Sequence, residues 1–176
     1  MRKIGRLGLC LILIMMIAVM SAPAMADMDL SATGSVSLRI HTASDVNVKN
    51  AHIELFFVGA PAIENYNLRF DLTPDFAGSG VSLSDLSDAS IAAALDAWID
   101  ANSILPNREL NTGADGRVTF ESVPTGLYLV RQDRFANGRR GSYSEIAPFI
   151  VTVPMTQDNE WVYEIDAQLR CKQTLT

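Results

Sequence analysis

Asp115-Gly116-Arg117-Val118-Thr119-Phe120, followed after two residues by Val123-Pro124-Thr125-Gly126-Leu127-Tyr128-Leu129-Val130, is the stretch that decides the fold. Val118 and Phe120 alternate with Arg117 and Thr119, the period-two pattern of a strand with one buried face. Gly113-Ala114-Asp115-Gly116 stands before it as a turn. With Arg108 to Thr112 on the far side of that turn, the segment predicts a β-hairpin. Pro124-Thr125-Gly126 turns the chain again, into four successive apolar residues. A short apolar run of this kind predicts a central strand covered on both faces.

The same alternation extends outward. Val36, Leu38 and Ile40 alternate with Ser37, Arg39 and His41; Ile53, Leu55 and Phe57 share one side of a second strand; Tyr66, Leu68, Phe70 and Leu72 mark a third. Pro148 to Val153 predicts another. Trp161 to Leu169 predicts the last, with Trp161, Tyr163, Ile165, Ala167 and Leu169 inward. Between Leu83 and Asn102 the period changes. Leu86, Ile91, Leu95, Trp98 and Ile99 recur at helical spacing among alanines, with Ser84, Ser87 and Asp88 as candidate caps. The expected fold is an all-β, Ig-like β-sandwich of about 7–8 strands with one helical insertion over about 84–102.

The chain has 176 residues, 14 basic against 20 acidic side chains, and a formal charge of −6. Arg2, Lys3 and Arg6, the apolar run Leu7 to Met20 and the small-x-small Ala24-Met25-Ala26 read as a secretory signal peptide over residues 1–26. Its removal takes three basic residues and leaves 11 against 20, a formal charge of −9. The expectation is an exported, secreted or cell-surface protein with no membrane span after cleavage and no nucleic-acid partner, since such a partner needs clustered cations. Residues 27–170 form the expected domain, and 171–176 a short tail. Cys10 leaves with the signal, so no internal disulfide is expected; Cys171 reads as an exposed tail thiol open to intermolecular pairing.

The hairpin and the Val-Pro-Thr-Gly-Leu-Tyr run resemble the Gly-x-x-x-Phe…Leu-Pro-x-Gly-x-Tyr signature of Cna B-type, prealbumin-like domains. Asp75 to Leu83, Ala147 to Pro154 and Trp161 to Ala167 resemble the N-terminal module of SpaA-type pilins of Gram-positive bacteria. The likeness runs over nearly all of residues 34 to 170. It implies an exported structural or adhesive surface protein with a prealbumin-like sandwich. Its implied partners are other pilin or cell-wall surface proteins, or host extracellular matrix or glycans. It also implies two kinds of lysine chemistry, each of which needs its residue.

An intramolecular Lys–Asn isopeptide bond needs a neutral amine beside a protonated acid. The resemblance puts these on the first strand and after the Tyr strand, where this chain has Arg39 and Gln132. Arginine stays protonated and cannot be the nucleophile, so no such bond is expected. The family's pilin-motif lysine corresponds to Arg170, which leaves Lys172, two residues on, as the candidate replacement. No Leu-Pro-x-Thr-Gly motif follows, so the chain is expected to lack its own sorting signal.

Other features have plainer readings. His41 and His52 are the two histidines; with no Cys or carboxylate seen at ligand spacing they read as surface residues, and no metal or cofactor is expected. Asp85, Asp88, Asp96 and Asp100 read as a solvated helix face. Arg131, Arg134, Arg139 and Arg140 make a local basic patch, of which Arg134, Arg139 and Arg140 are candidates to face an acidic ligand. No catalytic constellation is apparent. Two functions stay open: a pilin-like structural or adhesive subunit, and a soluble secreted β-sandwich that binds a ligand without polymerising.

Overall fold

Alternation along the first strand becomes burial in the folded chain. Val36, Leu38 and Ile40 of β1 (Thr33–Thr42) are fully buried. The structure is a computed structural model that describes residues 28–64, 67–135 and 146–172; the segment 1–26 read as a signal peptide, Tyr66, Arg139 and Arg140 lie outside them. β1 is flanked by β5 (Arg117–Pro124), antiparallel, and by β10 (Glu164–Cys171), parallel. These three strands make one sheet in the order β10-β1-β5.

The second sheet is built on β2 (Ala51–Glu64). One edge of β2 pairs antiparallel with β6 (Gly126–Phe135), which pairs in turn with β7 (Phe149–Val153). β4 (Arg108–Asn111) pairs with the first part of β2, and β3 (Asn67–Leu72) with its last part. A short ribbon, β8 (Met155–Gln157) with β9 (Glu160–Val162), completes ten strands among the described residues. The sheets face each other across a core of Val36, Leu38, Ile40, Ile53, Leu55, Val118, Phe120 and Val130. The molecule is the β-sandwich its sequence pattern implies.

A second core lies on the other face of the β2–β6 sheet. The helix α1 (Ser90–Asn102) sets Ile91, Ala92, Leu95 and Ile99 against Phe56, Val58, Leu127 and Leu129. This explains the apolar run in β6: Tyr128 and Val130 face the sandwich, and Leu127 and Leu129 face the helix. Trp98 anchors the helix to the preceding loop by donating from Nε1 to the Asp75 carbonyl at 2.9 Å.

Three expectations need correction. The helix begins at Ser90 rather than near Ser84, because the Ser/Asp pairs close local turns instead. Asp85 Oδ1 accepts from the Ser87 amide and hydroxyl, and Asp88 Oδ1 accepts from the Ser90 amide at 2.8 Å. β4 and β5 are not a hairpin. The turn between them is tight, with the Gly116 amide donating to the Gly113 carbonyl at 3.0 Å, yet β4 pairs with β2 and β5 with β1. The turn carries the chain from one sheet to the other. The expected last strand breaks before Glu164, so Trp161 belongs to β9 and pairs with Thr156, while Tyr163 lies between the two strands.

The Pro124-Thr125-Gly126-Leu127-Tyr128 run has a physical role at each end. A β-carbon on Gly126 would strike the Phe57 ring and come within 3.0 Å of the Gly59 carbonyl oxygen, so the close approach of β2 and β6 requires glycine here. The Tyr128 hydroxyl donates to the Pro124 carbonyl at 2.8 Å and closes the turn. Burial pushes the Tyr128 phenol up to about 12, with nearby Arg108 opposing, against an ordinary value of 10.0. A raised phenol pKa means that the fold favours the neutral form. Its stabilising contribution is therefore complete below about pH 10 and is lost as pH rises toward about 12. Tyr128→Phe is expected to cost about 1 kcal/mol at neutral pH and to flatten the fall in stability over that alkaline window, as read by urea denaturation at stepped pH.

Candidate functional site

The sheet face that carries α1 also carries a set of paired charges. Strand alternation turns Glu54 of β2 and Arg131 of β6, which are register partners, toward the helix. Arg131 Nε donates to Glu54 Oε2 at 2.8 Å; its Nη1 donates to Asp100 Oδ1 at 2.7 Å and to Asp96 Oδ1 at 3.3 Å. The two aspartates follow Ala92 at intervals of four along α1, beside the buried Ile91–Leu95–Ile99 stripe, and so reach the sheet. The guanidinium also lies over the Phe56 ring, 5.1 Å from its centroid. Burial would lower the Arg131 pKa, but the hydrogen bond and charge of Glu54, then the bonds of Asp100 and Asp96, outweigh it and hold it above its ordinary value.

Arg131 therefore does not belong to a ligand-facing basic patch, and Asp96 and Asp100 are not a merely solvated helix face. Asp85 and Asp88 lie before the helix altogether. Arg134 sits in the register position opposite His52.

Next to this node, His52, Glu54 and Glu109 place one ligand-type atom each within 4.8 Å of one another. The spacing His52-x-Glu54 puts both on one face of β2, a signal the sequence reading passed over. Glu109 arrives from β4, far away in sequence.

The residues that the family resemblance singled out lie in different places. Arg39 faces away from the sandwich and donates to Asp45 Oδ1 at 3.1 Å and Asn47 Oδ1 at 2.9 Å. The inward positions of β1 are the aliphatic Val36, Leu38 and Ile40. Gln132, by alternation with Tyr128 and Val130, points inward and is buried. Its Oε1 accepts from the Ile146 amide at 3.1 Å, while its Nε2 has no hydrogen-bond partner among the described residues. Arg39 and Gln132 thus face opposite sides of the β1 sheet.

At the end of β10, Arg170 is exposed opposite His41, and Lys172 is exposed one residue past the strand. Cys171 between them corrects the expectation of a tail thiol. It is the last residue of β10, it is 2% exposed, and its Sγ donates to the His41 carbonyl at 3.7 Å. His41 too is buried rather than on the surface, with Nδ1 2.9 Å from the Thr42 carbonyl.

Neither a family model nor a curated protein matches the sequence. Solved structures do. The full-length major pilin SpaD from Corynebacterium diphtheriae is similar with a TM-score of 0.56 and 21% identity, over 85% of this chain and 32% of that one. The major pilin SpaA of the same organism gives a TM-score of 0.47 and 17% identity, over 81% of this chain and 30% of that one. The chain spans about a third of the length of these pilins. The SpaD likeness shows that the chain shares the β-sandwich fold of part of that pilin.

Two outcomes follow from the site. Arg131→Ala leaves Glu54 buried without its partner and is expected to cost about 3 kcal/mol in urea denaturation; combined with Glu54→Ala, the loss should fall well short of the sum of the two. Burial also pushes the Cys171 thiol above its ordinary pKa, so the native protein should react with iodoacetamide at neutral pH at least about tenfold more slowly than the unfolded chain. Equal rates would place the thiol outside the sheet.

Proposed function

We propose that this chain is an exported, non-enzymatic surface module of the SpaA-type pilin class with a structural or adhesive role. The observation that carries the proposal is the fold likeness to SpaD over most of the chain. The secretory leader read in residues 1–26 supports export. The Lys172 amine, exposed just beyond β10, is the group we assign to covalent linkage with a neighbouring subunit. Such linkage joins the lysine nitrogen to an acyl carbon on the partner; the bond from that carbon to its previous substituent breaks, and the departing group leaves with the proton the amine gives up. Arg39 and Arg170 cannot supply that amine. The lack of an inward amine on β1 supports a domain held without an internal isopeptide bond.

A second reading, a secreted module that binds a ligand without polymerising, draws on one feature. Leu86, Phe149, Val151, Met155, Ile165 and Ala167 line an apolar groove between the edge strands β7 and β10. Host matrix or a wall glycan would be the ligand class.

The two readings separate in one experiment. Wall material released by muramidase and culture medium from the native organism are boiled in detergent and reductant, then immunoblotted for this chain. The pilin reading expects a high-mass ladder that collapses to one band in Lys172→Arg. A single band near the mature mass in the wild-type medium would sink it and leave the binding module.

A further inference from the structure

His52 and Glu54 stand two residues apart on β2 and share a face. Across from them on β4, Glu109 is the register partner of Glu54, and Asn111 that of His52. His52 Nε2 lies 3.0 Å from Glu109 Oε2 and 3.9 Å from Glu54 Oε1. Ligand atoms around a four-coordinate zinc ion stand about 3.4 Å apart, given metal–ligand distances of about 2.0–2.2 Å. Both separations from His52 Nε2 are therefore near the spacing in such a site, and the three groups offer ligand atoms within 4.8 Å of one another.

The surroundings favour a cation there. Glu54 is 6% exposed, and Arg131 engages its Oε2 only; its Oε1 faces His52 beyond hydrogen-bond distance. The Asn111 Oδ1 lies 3.0 Å from His52 Nδ1, on one side of the ring. On the other side Nε2 faces Glu109 Oε2 at 3.0 Å, so Nε2 is the ring nitrogen turned toward both carboxylates. Glu54 and Glu109 both face His52, and Glu54 shares Arg131 with Asp96 and Asp100. Arg108, the neighbouring cation of β4, alternates to the other face, where it donates to the Glu121 carbonyl and lies over Phe120.

We propose that His52 Nε2, Glu54 Oε1 and Glu109 Oε2 form a three-ligand site for a divalent cation of the zinc class. A mixed imidazole and carboxylate set suits that class better than calcium or magnesium, which take oxygen ligands. Asn111 is the partner that orients the imidazole. Solvent completes the coordination. The ion fastens β4, a four-residue strand whose residues are all exposed, onto β2.

The test uses the secreted chain, stripped with a chelator and titrated with Zn²⁺ by calorimetry and with Co²⁺ by visible absorption. One equivalent is expected to bind. Glu109→Gln, an exposed position that should leave the circular dichroism unchanged, and His52→Gln should each weaken binding at least about tenfold. Cys171→Ser and His41→Gln should leave it unchanged. Three results would overturn the site: no stoichiometric uptake; binding unaltered in both ligand variants; or a thiolate-to-cobalt band abolished by Cys171→Ser.

Discussion

One guanidinium joins two of the three layers of this molecule, the larger sheet and the helix. Arg131 leaves β6, the strand at the middle of the larger sheet, and meets a carboxylate from β2 and two from α1. Placing four charged groups against an apolar sheet face is costly unless each finds a partner, because a charge taken from water loses several kcal/mol of solvation. Arginine meets that requirement where lysine would not. Its planar fork serves Glu54 through Nε and the aspartates through Nη1 at once, and its flat face rests on Phe56. The node also fixes helix rotation. Leu95 and Ile99 would remain apolar under a modest roll of α1, but Asp96 and Asp100 would then lose their partner.

That node has meaning because the β2–β6 sheet is buried on both sides. A two-layer sandwich needs strands with one apolar face, and β1 and β5 are of that kind. β2 and β6 carry apolar residues at both parities, Ile53 and Leu55 toward the smaller sheet and Phe56 and Val58 toward the helix. The helix is thus the third layer that the composition of β2 and β6 demands, rather than a decoration on a loop.

The alternating strands and the helix were legible because each is a local pattern. So was the central place of Leu127 to Val130. What the sequence did not reveal is which distant edges meet. The Gly113–Gly116 turn looks like a hairpin turn, and locally it is one; nothing in its four residues says that Arg108 to Asn111 will pair with β2 and Arg117 to Pro124 with β1. The charge node escaped for the same reason. Arg131, Glu54 and Asp96 each look like a solvated polar residue on an alternating strand or a helix edge, and only the packing of α1 across the register pair Glu54–Arg131 brings them together. His52-x-Glu54 was the one local clue to the neighbouring cluster. Cys171 looked like a tail because its strand partner, Thr42, lies far off in the chain.

The parallel pairing of β10 with β1 sets how this domain would carry load. Because the strands run the same way, the chain enters β1 at one pole of the sandwich and leaves β10 at the other. Neighbouring modules attached at those two points would pull along the strand axis. Tension then acts on all the paired positions, from Ser35 opposite Glu164 to Thr42 opposite Cys171, in shear at the same moment. An antiparallel terminal pair would instead bring entry and exit to one pole, where the strands peel apart one bond at a time. Resistance to forced unfolding is governed by the unfolding rate rather than by equilibrium stability, so loading many hydrogen bonds together raises the barrier without deepening the fold. The burial of Cys171 and the aliphatic run Val36, Leu38 and Ile40 keep that seam dry from one side. The exposed Arg170 and Lys172 lie where the load would leave the sheet.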